Sequence, residues 1–121
     1  MINMTNREFV RLVRQAYREI PNAVLQALEN IDVVVEEWPG PEEADLVGEG
    51  SLFGLYSGVP LTEREGGDPL LPDRIVIYRQ PILRVCSSRT QAEREIKVTL
   101  WHEVGHYLGM SEDDLHRLGY G

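Results

Sequence analysis

From Thr5 onward the apolar positions recur every three or four residues. Phe9, Val13, Ala16, Tyr17 and Ile20 fall on one side of a helix, while Arg7, Arg11, Arg14 and Arg18 take other parts of the turn. Thr5 followed by Glu8 has the spacing of a capping box, which starts this helix. Pro21 suits the first position of a second helix with Val24, Leu25 and Leu28 on its apolar side. The pattern then changes. Ile31–Trp38 is rich in β-branched residues and stops at Pro39-Gly40-Pro41, as a strand does. Leu52–Tyr56 reads as a short strand interrupted by Gly54, and Ser57–Pro60 as a turn. Arg74–Tyr78 reads as a third strand. The acidic stretch 42–50 and the glycine-containing stretch 63–69 read as loops, the second a mobile one.

Pro81 is expected to open a short helix through Cys86. Thr90 and Glu93 form another capping box, and a long helix follows over about 91–108. Within it Ile96, Leu100, Val104 and Leu108 keep one face against the core. Gly109 is placed to end the helix in a left-handed conformation, and Ser111 to cap a last short one. The alternation predicts an α+β fold: N-terminal helices, a small three-stranded mixed sheet, the long helix and a short C-terminal helix. Residues 1–121 are expected to form one domain.

Charge narrows the partners. The chain has a formal net charge of −8, which repels phosphate backbones and anionic lipid headgroups, so neither nucleic acid nor membrane is expected to bind. No apolar stretch reaches the ~20 residues that span a bilayer, and the first residues lack a signal-peptide core, so a cytoplasmic location is expected. Cys86 is the only cysteine and sits among apolar neighbours, as a small hydrophobe would.

The segment with chemical content is WHEVGHYLGMSEDDLH, from Trp101 to His116. His102 and His106 are one turn apart on the long helix, so their side chains point within ~40° of each other. Two imidazoles so placed can share a Zn²⁺ at about 2.0–2.1 Å, and Glu103 flanks the same arc without being a ligand. A third ligand is needed, and with 15 residues after His106 it is expected close by. The candidates are Glu112, Asp113, Asp114 and His116. A reversal at Gly109 favours Glu112, six residues past His106, with Asp113 next. Tyr107, Tyr120 and Arg79 have the chemistry to stabilise an oxyanion, and nothing in the sequence selects among them. An exposed edge of Leu52–Tyr56 or Arg74–Tyr78 would align a peptide by strand addition.

The pattern HExxHxxGxx(D/E) resembles the metzincin motif, with a carboxylate where a third histidine would stand. More closely, LFGLYSGVPLTER, RIVIYRQPI and TLWHEVGHYLGMSEDDLHRLGYG look like the minimal zincin-like metallopeptidase family of bacteria. The resemblance implies a short α+β fold, with zinc on His102, His106 and the acid at position 112. It also implies that Glu103 is the catalytic acid/base in hydrolysis of a peptide or protein substrate by a metal-activated water. Two departures stand out: there is no Met-turn, and Glu112 occupies a position where aspartate is frequent. Two competing readings follow from the same residues. One is a metal-binding interaction module without turnover, its shallow cleft completed by a partner or a second copy. The other is a metal-dependent RNA hydrolase, against which the acidic balance and the lack of a basic stripe argue.

Overall fold

In a computed structural model, residues 2–28, 31–41, 52–58 and 73–119 are described. The expected loops at 42–50 and 63–69 lie outside these residues, as do Pro60 and Tyr120. Five helices and a small three-stranded mixed sheet make an α+β arrangement among the described residues. Helix α1 (Asn6–Arg18) starts where Thr5 accepts from the Glu8 amide. The Glu8 carboxylate pairs with Arg89 instead of closing the box. Pro21 is the N-cap of α2 (Asn22–Leu25), one residue before the helix proper.

Strands β1 (Ile31–Glu36), β2 (Gly54–Ser57) and β3 (Asp73–Tyr78) follow. Their spatial order is β1-β3-β2, parallel between β1 and β3 and antiparallel between β2 and β3. The strand expected over Arg74–Tyr78 is therefore central and offers no edge, because it pairs on both sides. Ile75, Val76, Ile77 and Tyr78 are all buried, as a strand covered on both faces requires.

Helix α3 (Arg79–Val85) begins two residues before the proline expected to open it. Pro81 stands in the first turn, where a missing N–H costs no helical hydrogen bond. Helix α4 (Arg89–Tyr107) starts earlier than expected. Ser88, not Thr90, is the N-cap and accepts from the Gln91 amide at 3.1 Å, while the Gln91 side chain accepts from Ser87 N at 2.7 Å. Helix α5 (Glu112–Arg117) carries the complete Ser111–Asp114 capping box.

One apolar cluster joins the inner face of α1 (Phe9, Leu12, Val13, Ala16) to Ile75 and Ile77 of the sheet and to Ile96, Leu100 and Val104 of α4. Burying each of the larger of these side chains contributes about 1.5–3 kcal/mol. Helix α4 lies between α1 and the sheet, so its buried set is wider than one stripe: Ala92, Thr99, Glu103, Gly105 and Tyr107 are covered as well. That burial brings a carboxylate inside. The arginines of α1 differ from the expectation of no basic stripe: positions 7, 11, 14 and 18 fall within about 60° of one another on an ideal helix, opposite the buried face. No helix of the described residues is long and apolar enough to cross a membrane.

Candidate metal centre

The last two turns of α4 supply two imidazoles. His102 and His106 are four residues apart, with ring centroids 4.6 Å apart and ring planes at 76°. Their Nε2 atoms approach to 3.0 Å. Two ring nitrogens this close require either one Nε2–H donating to the other or a cation that both lone pairs share.

The chain then turns back. Gly109 has φ 83°, the left-handed value that costs little only for glycine. Its amide donates to the His106 carbonyl at 3.0 Å, and the Met110 amide to the Gly105 carbonyl at 2.9 Å. This pair of bonds is the Schellman arrangement. Ser111 caps α5 at once, so Glu112 returns over the histidines. Its Oε1 lies 2.9 Å from His106 Nε2 and 3.5 Å from His102 Nε2.

Gly105 holds α5 in place. A methyl built on it would overlap Leu115 Cδ2 outright and stand 3.2 Å from Leu115 Cγ. Leu115 is 1% exposed, so the bare α-carbon of Gly105 is the seat in which the C-terminal helix rests. Leu115 and Glu112 are three residues apart and share a face of α5. The packing contact thus fixes the carboxylate, which is itself 68% exposed.

His102, His106 and Glu112 form the one group among the described residues able to hold a metal ion. Asp113, Asp114 and His116 are not in it. Donor atoms around a tetrahedral Zn²⁺ with bonds of about 2.0–2.1 Å lie roughly 3.3 Å apart. The three separations of 3.0, 2.9 and 3.5 Å match that set, and two imidazoles with one carboxylate are donors zinc accepts.

Glu103 stands beside this trio and outside it. It is 8% exposed, and its Oε2 is 4.0 Å from His102 Nε2. Burial pushes its carboxyl above the usual range, a shift opposed by the two imidazoles and by a hydrogen bond donated by the Tyr56 backbone amide. Glu112 adds to the upward push. Strand β2 reaches the helix because of Gly54, where a Cβ would meet Thr99 Cγ2 at 2.7 Å and the Val76 carbonyl at 3.1 Å. The Phe53 carbonyl accepts from Tyr78 on β3, so alternation directs the Gly54 and Tyr56 backbone groups away from the sheet. The Tyr56 amide is among them and meets Glu103. Neither Gly105 nor the Tyr56 amide stood out in the sequence; Gly54, a glycine inside a strand, was the one available signal.

The expected oxyanion donors are placed elsewhere. Tyr107 is fully buried and donates its hydroxyl to the Ala27 carbonyl at 3.2 Å, which makes it a core residue. Arg79 binds Glu37 and the Met4 carbonyl.

A family model described as zincin-like metallopeptidase matches residues 28–121. The chain is also similar to a solved structure, a conserved hypothetical protein from T. thermophilus. Identity is 28% over 87% of this chain and 94% of that one, with a TM-score of 0.61. A search of curated proteins finds no match.

Proposed function

The chain belongs to the zincin-like metallopeptidase family, and we propose that it is a zinc-dependent hydrolase of peptide bonds with Glu103 as its general base. The observation that carries this reading is the position of Glu103. It is a buried carboxylate beside three converging donor atoms, yet apart from them. A purely structural zinc site has no need of it.

In this reading His102, His106 and Glu112 hold the ion. Zinc held there would supply Lewis-acid chemistry, acidifying water and polarising a carbonyl. One carboxylate and two neutral imidazoles leave the dication with net positive charge, which that role needs. Glu103 takes a proton from the attacking water and returns it to the departing amine. Its burial favours the task by lifting its carboxyl toward working pH, and the Tyr56 amide fixes its direction. A peptide laid along the outer edge of β2 would pass beside Glu103 through backbone hydrogen bonds.

The exposure of Glu112 favours a second reading, in which a partner or a second copy of the chain closes the open side before turnover. Digestion of a peptide library by the zinc-loaded protein, side by side with Glu103→Gln, tests the main reading. Fragments produced by the wild type alone support it. An intact library with zinc bound to both proteins would leave a metal-binding module.

A further inference from the structure

Helix α1 divides its charges by direction. Glu8 in its first turn and Glu19 at its C-cap are engaged with α4, Glu8 with Arg89 and Glu19 with Lys97 at 3.6 Å. Its arginines, at 7, 11, 14 and 18, are all exposed and make no ion pair among the described residues. Basic side chains elsewhere do find partners: Arg74 with Glu36, Arg79 with Glu37, Arg117 with Asp114, and Arg84 over the Trp38 ring. Arg94 apart, the unpaired cations of the described residues lie on this one stripe.

The stripe is unfavourable by itself. Residues 7 and 11, 11 and 14, and 14 and 18 are helix neighbours of like charge, a spacing that weakens a helix. It also contrasts with its surroundings. The chain carries −8 in all and these four side chains +4, so the remainder carries −8 − 4 = −12. Arginine presents a planar fork of donors that takes a carboxylate in two parallel hydrogen bonds. Along the axis the four span about 16 Å, one straight row.

We propose that the outer face of α1 is a docking surface for an acidic polypeptide segment whose carboxylates pair with Arg7, Arg11, Arg14 and Arg18. Charge complementarity selects the occupant. A segment of matching length needs only the stripe, whereas a longer polyanion such as RNA must also meet the rest of a chain whose remaining net charge is −12. A lipid surface is the poorer fit, because among the described residues that line the concavity with the four arginines Val10 is the one apolar side chain, and an interfacial helix needs an apolar face to insert. The surface is independent of the metal centre. Helix α1 precedes the residues that match the family model, and its opposite face anchors it to α4 through the core.

The test uses the full chain and a fluorescent oligo-glutamate peptide of about twelve residues, long enough as a helix to cover the row. Anisotropy is read at low and physiological salt. Parallel arms hold a single-stranded RNA oligonucleotide and vesicles containing phosphatidylserine. The peptide should bind, more weakly as salt rises, and the double substitution Arg11→Gln with Arg14→Gln should weaken it roughly tenfold or more. Arg94→Gln, off the stripe, should leave binding unchanged. Circular dichroism confirms that the double variant folds. No peptide binding, equal binding by the double variant, or tighter binding of RNA or vesicles than of the peptide overturns the proposal.

Discussion

Replacing Gly105 with alanine puts a methyl group into the seat of Leu115. The new carbon would overlap Leu115 Cδ2 and lie 3.2 and 3.3 Å from Cγ and Cδ1, inside the ~3.5 Å of optimal contact. Leu115 is buried against α4 and has little room to turn, so α5 must shift outward. Overpacking of this kind costs about 1–3 kcal/mol, and alanine's better helix propensity returns about 1 kcal/mol. Net destabilisation is therefore about 0–2 kcal/mol, too little to unfold the protein. The larger effect falls on Glu112. Metal–ligand distances tolerate about ±0.2 Å, so a displacement of α5 by several tenths of an ångström removes the carboxylate from the set. Zinc affinity should fall roughly 10–100-fold, the range typical of lost supporting contacts. Competition against a chromophoric chelator measures this, with thermal unfolding of the metal-free protein as control. Shortening the knob with Leu115→Val in the alanine background should recover most of the affinity. Unchanged zinc affinity in Gly105→Ala, or no recovery in the double variant, would refute the seat as what positions Glu112.

Two further outcomes follow from the same geometry. Glu112→Ala should weaken zinc binding beyond the roughly 10–100-fold of an outer-shell loss, while Asp113→Ala keeps wild-type affinity; a chelator titration of both variants showing the reverse would move the ligand one residue along. Cys86 is fully buried, and burial raises its thiol above the ordinary value, with Glu95 adding to the shift. It should resist thiol-specific reagents in the native protein and react only on unfolding; labelling of native protein at the rate of a free thiol would contradict the packing.

The candidate site was more legible in the sequence than the frame around it. His102, Glu103 and His106 share a helix, so their relation follows from helical geometry alone, and Gly109 marked the turn that returns Glu112. What lay between distant segments was hidden. Gly105 seats Leu115, ten residues later, and the Tyr56 amide reaches Glu103 across nearly fifty residues; no local pattern encodes either contact. The start of α4 was misplaced because Thr90–Glu93 and Ser88–Gln91 both fit a capping pattern, and only the packed structure shows which serves. Likewise, the apolar run 74–78 fits an edge or a central strand until its partners are known. The arginine row is spelled out in the spacing of residues 7 to 18, yet a net charge summed over the whole chain conceals it.

The central claim is that Glu103 serves the bound ion's chemistry without binding the ion. Glu103→Gln keeps the shape and removes the base. Zinc content per chain should equal that of the wild type, while hydrolysis of a peptide found by library digestion falls roughly 10²–10⁴-fold. Loss of zinc from this variant, or hydrolysis undiminished with zinc in place, would contradict the account.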